Sequence, residues 1–271
     1  MCRVLQVSRS RYYSWRHCPI SNRARRDQFL TEQIKVIFNN SKQKYGIRKV
    51  QNDMIKQGIS ISRKRVSRLM KEANLKPKLN VKYKATTNSN HKLNIAPNLL
   101  KRDFYCAKPN RVWTGDITQI KTREGDLYLA IVIDLCSRKI VGWSMDSNMK
   151  ADLVNNALTM ALFRRKPGKG LIWHTDRGSQ YCSISHRKIV KDHSIIQSMS
   201  RKGDCWDNAT SESFFSILKR ELDGIGNFAN RSQAKAAIFE FIEIFYNKIR
   251  SHSTIDYVAP SQFEEKIITI K

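Results

Sequence analysis

The sequence lacks the features of a membrane or secreted protein. No stretch approaches the roughly 18 consecutive apolar residues of a membrane-spanning helix. The opening residues, Met1 to Leu5, lack the apolar run of a secretory signal. We therefore expect an intracellular protein.

The sequence also lacks the cysteine spacing of a structural zinc site. Its six cysteines never occur as C-x-x-C, and no pair of histidines is separated by three to five residues. In an intracellular chain we expect reduced, partly buried thiols instead.

Acidic side chains are scarce. The 271 residues contain 23 Asp and Glu against 50 Lys and Arg, which gives a net charge of +27. Residues 1–100 alone hold 23 basic and 4 acidic side chains. A field of this sign attracts a polyanion such as nucleic acid. The hydrophobic fraction of 41% is sufficient for a buried core, in one large domain or two small ones.

The amino-terminal third is predicted to be helical. Residues 1–20 contain a short apolar turn, a break at Ser8 and a short helix with arginines and aromatics, which resembles half of a helix-turn-helix. Apolar periodicity predicts helices over about 27–39 and 46–57, the second ending at Gly58.

A third helix is predicted to begin after Ser62, which can cap it. Its outer face carries four basic side chains, Arg63, Lys64, Arg65 and Arg68, and we expect these to lack acidic partners within the helix. Two helices joined by a short turn, the second strongly basic, predict a helix-turn-helix DNA-binding domain over residues 21–75. The alternative is a solvated charged face on a small helical bundle.

Residues 76–107 show no sustained period and are predicted to form a basic linker. The linker could follow a phosphate backbone or be a simple solvated tether.

From residue 108 to 271 the pattern is that of an α/β domain. Three strands are predicted in a meander, and strands and helices then alternate. The predicted strands are 112–121, 127–133, 139–145, 170–174 and 195–199, and the predicted helices are 151–165, 184–192, 207–222 and 231–248. This order favours a mixed five-stranded sheet flanked by helices, preceded by the all-α helix-turn-helix domain.

Two aspartates lie within or directly after predicted strands, where a carboxylate can indicate a binding site. Asp116 lies among apolar neighbours, where an ionised side chain needs a cation. Asp176 follows a short strand, and strand ends are common ligand sites in open sheets. Each aspartate alone could equally brace a turn or cap a helix.

A third carboxylate lies on a predicted helix. Asn208, Glu212, Phe215 and Lys219 share one helical face. Glu212 is therefore expected at a partly buried boundary, beside a cation that can bind phosphate. An ordinary pair on an amphipathic helix is the alternative.

The three acids together resemble a known signature. Thirty-five residues separate Asp176 from Glu212, as in the D,D(35)E pattern of the integrase-core transposases. The sequence segments around these acids also match that pattern. They are residues 113–118, 127–143, 174–181, 205–212 and 246–253, with Pro260 and Phe263. Over nearly its whole length, including residues 45–70, the chain is similar to the second-frame protein of the insertion-sequence-three family of bacterial elements.

The resemblance implies a fold, an activity and site residues. The fold would be ribonuclease H-like, as in retroviral integrases. Asp116, Asp176 and Glu212 would be catalytic and would together hold two Mg²⁺ ions, for which Mn²⁺ can substitute, with Asp116 bridging both. Lys219 would contact DNA phosphate, and Arg177 and Lys202 are weaker candidates for the same role. Gly115 stands where the family often has Thr, and Asp256 where it usually has Gly.

The resemblance also implies partners. The protein would bind the terminal inverted repeats of an insertion sequence, cleave there and transfer the strands to double-stranded target DNA. A homodimer or larger complex on DNA is expected, with an upstream-frame protein or fused segment as a possible partner, in the bacterial cytoplasm and without a membrane. Two alternatives stay open: a plain nuclease of the ribonuclease H type, and a DNA-binding repressor with an inactive core.

Three further residues in or near the matching segments are predicted to have structural roles. Asp134 is expected to brace the turn that contains Ser137. Asp207 is expected to cap the helix of Glu212. His174 is expected at a strand end with a hydrogen-bonded ring.

Overall fold

The computed structural model describes residues 2, 4–17, 20–77, 94–101, 103–201, 208–222 and 227–269. The chain divides into two compact units, Met1–Lys78 and Leu79–Lys271. No helix in the described ranges is both long and apolar enough to cross a membrane.

The first unit is helical throughout its regular structure. Its helices are α1 (Arg9–His17), α2 (Asn22–Asn40), α3 (Ile47–Lys56) and α4 (Arg63–Glu72). Helix α1 buries no side chain, whereas the other three enclose an apolar core centred on Ile34, Val50, Met54 and Val66. The three helices predicted from periodicity are confirmed.

Capping residues set the ends of these helices. Ser62 accepts a hydrogen bond from the Arg65 backbone N–H at 3.3 Å, as expected for the start of α4. Gly58 follows α3 with a φ of +77°, the left-handed conformation that glycine adopts most readily. Helix α2 begins earlier than predicted, because Ser21 caps a polar first turn that apolar periodicity does not detect.

Arg65 and Arg68 of the basic α4 face have acidic partners, and the expectation that this face lacks them within the helix is wrong for Arg68. Both donate to the Asp27 carboxylate of α2, each at 2.7 Å, and Arg68 also pairs with Glu72 at 3.0 Å. The hydrogen bonds, first from Arg68 and then from Arg65, lower the pKa of Asp27. These two arginines therefore fasten α4 to α2.

The second unit contains one five-stranded sheet. Its strands are β1 (Val112–Thr122), β2 (Gly125–Asp134), β3 (Ile140–Asp146), β4 (Ile172–Thr175) and β5 (Ile196–Met199), in the order β3-β2-β1-β4-β5. The first three strands are antiparallel neighbours, whereas β4 and β5 run parallel to β1. The predicted mixed sheet is confirmed, with β4 and β5 starting one or two residues later than expected.

Helices cover both faces of the sheet. They are α5 (Ala151–Arg165), α6 (Ile184–Asp192), α7 (Ala209–Glu221), α8 (Arg231–Glu240) and α9 (Pro260–Thr269). One core joins the sheet to α5 and α6 around Trp113 and Trp173, and a second joins it to α7 and α8 around Leu129 and Phe214. The second core fixes α7 against one face of the sheet.

The predicted helix 231–248 changes pitch along its length. Helix α8 continues as a wider, π-type helix over Phe241–Ile249. In this segment the Asn247 side chain bonds both the backbone N–H and the C=O of Ile140, each at 3.0 Å. The contact joins residues 107 positions apart, so helical periodicity could not indicate it.

Part of the predicted linker packs against β5. The Pro97 C=O accepts from the Met199 N–H at 3.3 Å, and the Leu99 N–H donates to Ser198 Oγ at 2.9 Å. Residues 78–93 of the linker lie outside the described residues. The side chains of Cys2, Cys106, Cys136 and Cys182 form no disulfide bond.

Candidate active site

The strand register brings Asp116 and Asp176 to the same level of the sheet. Thr114 of β1 pairs with His174 of parallel β4. Asp116 lies two residues beyond Thr114, and Asp176 lies two residues beyond His174. Both aspartates are half-buried, Asp116 within β1 and Asp176 directly after β4.

Helix α7 places Glu212 beside these aspartates. Ser211, the residue before Glu212, is fully buried and shares a 2.6 Å hydrogen bond with Thr114 Oγ1. The Asn208 side-chain amide donates to the Gly115 C=O at 3.3 Å. The start of α7 is thereby bonded to the two residues that precede Asp116 in β1, while Glu212 itself is exposed to solvent.

The electrostatics show that these charges share one neighbourhood. Burial raises the pKa of Asp116 well above its usual value, and the charges of Asp176 and Glu212 raise it further, whereas Lys219 acts in the opposite direction. Burial also raises the pKa of Glu212 and lowers that of Lys219. The structure thus brings together four of the residues singled out from the sequence.

Hydrogen bonds hold the loop after β4. The Gly178 N–H donates to Asp176 Oδ1 at 2.9 Å, and Arg177 Nε donates to the Ser200 C=O at 2.7 Å. Arg177, predicted to contact DNA, is therefore bonded to the end of β5 through one edge of its guanidinium. Lys202 and Asp207 lie outside the described residues.

The predictions for Asp134 and His174 are confirmed. Asp134 is buried and its Oδ1 accepts from the N–H groups of Cys136 and Ser137, which braces the turn between β2 and β3. The buried His174 ring bonds Ser198 Oγ through Nδ1 at 2.8 Å.

The two departures from the family pattern have local explanations. A Cβ on Gly115 would lie 2.6 Å from Cζ2 of Trp173 and closer still to Cη2, so only glycine fits under this indole. Asp256 has a φ of +55°, a left-handed conformation that glycine and, among other residues, Asn and Asp adopt most readily.

The donor set fits a hard divalent cation. Asp116, Asp176 and Glu212 offer only oxygen ligands, which Mg²⁺ prefers. Burial, and after it the charges of Asp176 and Glu212, raise the pKa of Asp116. A bound cation would relieve this repulsion among the carboxylates. Within the described ranges, however, no three His, Cys, Asp or Glu side chains are close enough to hold a metal as they stand. Three like charges without a counter-ion are expected to stay apart.

Tyr181 ends the matched segment 174–181, but the sequence predicted no role for it. It lies in the turn after Asp176 with 1% of its surface exposed, and its hydroxyl has no hydrogen-bond partner among the described residues. An aromatic side chain at this position is usually a core residue, so only its tertiary surroundings distinguish it.

Comparisons with known proteins agree with this architecture. Family models match residues 24–83 (HTH-like domain) and residues 107–205 and 212–268 (both integrase core domain). The chain is 45% identical over 266 residues to the "Insertion element IS600 uncharacterized 31 kDa protein" of Shigella sonnei, covering 98% of each chain. It is 43% identical over 268 residues to "Transposase InsF for insertion sequence IS3A" of Escherichia coli (strain K12), covering 98% of this chain and 93% of that one.

A solved structure shares the fold. It is the simian T-cell lymphotropic virus intasome in complex with PP2A regulatory subunit B56 gamma, at 14% identity and a TM-score of 0.50, covering 79% of this chain and 70% of that one. The second unit therefore has a ribonuclease H-like fold, as the resemblance implied.

Proposed function

Because the chain belongs to the insertion-sequence-three (IS3) family of transposases, we propose that it cuts DNA at the ends of its element and joins the cut strands to target DNA with Asp116, Asp176 and Glu212. One observation carries this proposal: the register of β1 and β4 brings Asp116 and Asp176 to one level of the sheet, and hydrogen bonds from the start of α7 to Thr114 and Gly115 bring Glu212 to the same place. A cluster of carboxylates from three elements that perturbs the pKa of one of its members is typical of a catalytic site.

The three carboxylates are proposed to hold two divalent cations, Mg²⁺ or Mn²⁺, with Asp116 shared between them. When bound, such cations make an attacking oxygen nucleophilic and stabilise the charge that develops on a leaving oxygen. Asp116 is the residue best placed for sharing, since both other acids influence it.

The reaction has two steps. A water molecule hydrolyses a phosphodiester at the end of the element and frees a 3′-hydroxyl. This hydroxyl then attacks a phosphodiester of the target, so that one phosphorus–oxygen bond forms while another breaks. Lys219 is half-buried and lies on the same face of α7 as Glu212, seven residues further along the helix. We propose that it holds a DNA phosphate near the reacting bond.

Recognition of DNA is assigned to the helix-turn-helix domain, residues 21–75, which the basic linker 76–107 joins to the catalytic core, residues 108–271. The exposed Arg63 and Lys64 are the remaining candidates on α4 for phosphate contacts. Joining two ends needs at least two active sites, so we propose a homodimer or larger complex on DNA in the bacterial cytoplasm, with an upstream-frame segment as a further partner.

The proposal is tested with oligonucleotides that carry the terminal inverted repeats of the element. Wild-type protein, Glu212→Gln and Asp207→Asn are each incubated with DNA and Mg²⁺ or Mn²⁺, and cut and joined strands are measured. Wild type and Asp207→Asn should give joined products. Glu212→Gln, which replaces one oxygen of an exposed carboxylate by an amide nitrogen, should bind DNA but give neither product.

The alternatives give different products. A plain nuclease would cut without joining, and a repressor would bind without cutting, even when a fused upstream segment is supplied. Equal loss of activity in folded Asp207→Asn and Glu212→Gln would contradict the assignment of Glu212.

A further inference from the structure

Arg138 lies in the turn between β2 and β3 with an unusual backbone conformation. Its φ is +62°, in the left-handed region that glycine adopts most readily and Asn or Asp next. The turn is closed by backbone atoms, since the Arg138 N–H donates to the Asp134 C=O at 2.8 Å. Glycine would serve this backbone with less strain, so the arginine side chain itself needs a reason.

The guanidinium of Arg138 is half-buried and donates to uncharged groups. Nη1 donates to Thr210 Oγ1 at 3.0 Å, and Nη2 donates to the Phe104 C=O at 3.4 Å. Nε is buried and has no hydrogen-bond partner among the described residues. The buried Arg250, by contrast, donates to both carboxylate oxygens of Glu221, at 2.6 Å and 2.8 Å. A buried charge is costly without a counter-charge, so ion pairing does not account for Arg138.

The bond to Thr210 reaches the start of α7. Thr210 is the second residue of this helix and lies two residues before Glu212. Side-chain bonds from Ser211 and Asn208 tie the same turn to β1. Arg138 adds a bond from the turn between β2 and β3, so the start of α7 is held from two parts of the sheet. Glu212 is exposed, and its position therefore depends on the helix backbone that carries it.

We propose that Arg138 is a positioning residue of the active site: through Thr210 it fixes the start of α7, so that Glu212 can join Asp116 and Asp176 when the acids hold a divalent cation. A hydroxyl acceptor suits this role because a carboxylate acceptor would add repulsion beside three acids. This inference rests on the proposed function of the three acids.

The first experiment compares Arg138→Asn with Lys166→Asn. Asn tolerates a left-handed backbone, so Arg138→Asn removes the guanidinium without adding strain. Lys166 is the matched control because it is exposed, has a φ of +43° at the end of α5 and loses the same charge. Strand cleavage by Arg138→Asn should fall about 10- to 100-fold, as expected when a reacting group is displaced by up to about 1 Å. The loss should appear in kcat more than in KM for DNA, with a higher Mg²⁺ concentration for half-maximal rate.

A second pair of variants tests the hydrogen bond from its other end. Thr210→Val keeps the shape of the side chain but removes the acceptor, and should lose cleavage activity as Arg138→Asn does. Thr210→Ser keeps the hydroxyl and should restore most of that loss. The double variant Arg138→Asn with Thr210→Val should cleave about as slowly as the slower single variant, because both changes remove one interaction.

A third readout does not depend on activity. Mg²⁺ or Mn²⁺ should raise the unfolding temperature of wild type, Lys166→Asn and Thr210→Ser. This increment should shrink in Arg138→Asn and Thr210→Val because the cation binds less tightly. DNA affinity measured without metal should be equal in Arg138→Asn and Lys166→Asn. A purely structural arginine would instead lower the metal-free unfolding temperature and leave the metal increment and the half-maximal Mg²⁺ concentration intact.

The outcomes separate this inference from the proposed function. If wild type cleaves and responds to metal while Arg138→Asn and Thr210→Val are indistinguishable from it, the role of Arg138 is refuted and the function stands. Equal loss in Thr210→Ser and Thr210→Val also refutes it, since the hydroxyl would then not matter. If Arg138→Asn does not fold, the two Thr210 variants decide by the same criteria. If wild type neither cleaves nor responds to metal, both inferences fail.

Discussion

Replacing Gly115 by alanine tests the packing beneath β1, the strand that carries Asp116. A methyl group at this position would lie 2.6 Å from Cζ2 and 3.0 Å from Cζ3 of Trp173. The indole of Trp173 is 1% exposed and its Nε1 donates to His186 at 3.0 Å, so the indole cannot move aside to make room for the methyl group. The strand must therefore move, and Asp116 moves with its neighbour.

The cost can be estimated from known overpacking. Extra methyl groups in a packed core cost about 1–3 kcal/mol, and we expect the upper half of this range because ring atoms cannot rotate out of the contact. In a unit of this size that corresponds to an unfolding temperature lower by about 4–12 °C. A displacement of Asp116 by about 1 Å would reduce strand cleavage by up to about 100-fold.

The assay is thermal and urea unfolding of Gly115→Ala beside Gly168→Ala, whose new methyl meets nothing within 4 Å. Gly168→Ala should behave like wild type. Adding Trp173→Phe to Gly115→Ala should recover part of the loss, because the shorter ring withdraws its outer edge. If Gly115→Ala is as stable as Gly168→Ala, the contact with Trp173 does not constrain the strand.

Three further predictions concern pH, salt and the ion pair of Arg65. Burial lowers the pKa of His186 from 6.5 to about 4, so between these pH values the unfolded chain binds a proton that the folded chain does not. The resulting change in the free energy of unfolding is about 3 kcal/mol: this stability is complete above pH 6.5 and is lost as the pH falls to about 4. Urea unfolding across this range would show the loss. Changing Arg63 and Lys64 together to glutamine should lower the slope of log K for DNA binding against log salt by about 0.9 per lost phosphate contact. Arg65→Gln should instead loosen the pairing with Asp27 and lower the stability of the first unit.

Each of these predictions has a contrary result. A His186→Gln variant that keeps the same loss of stability between pH 6.5 and 4 would assign the effect to another group. The exposed His193 supplies the control, since its replacement by glutamine should leave the pH profile unchanged. An unaltered salt slope in the Arg63 and Lys64 double variant would remove these residues from the DNA contacts.

The local features of this protein follow from its sequence. Ser62 and Gly58 act on backbone groups a few residues away, so the limits of α4 and α3 could be predicted from residue type alone. Runs rich in β-branched and other apolar residues, separated by turn residues, likewise predict β1 to β3. The spacing of Asp176 and Glu212, with Asp116 upstream, indicated the candidate site because the signature is defined by sequence distance.

Only the tertiary structure decided which side chains meet across long separations. Arg65 and Arg68 have the composition of a DNA-contacting face, but Asp27, 38 and 41 residues away, pairs with both. The buried hydroxyl of Tyr181 and the indole of Trp173 against Gly115 depend on strands that become neighbours only when the sheet assembles. Capping and periodicity act within one or two turns of the chain, whereas burial and charge pairing depend on every element packed nearby, and no local pattern encodes those neighbours.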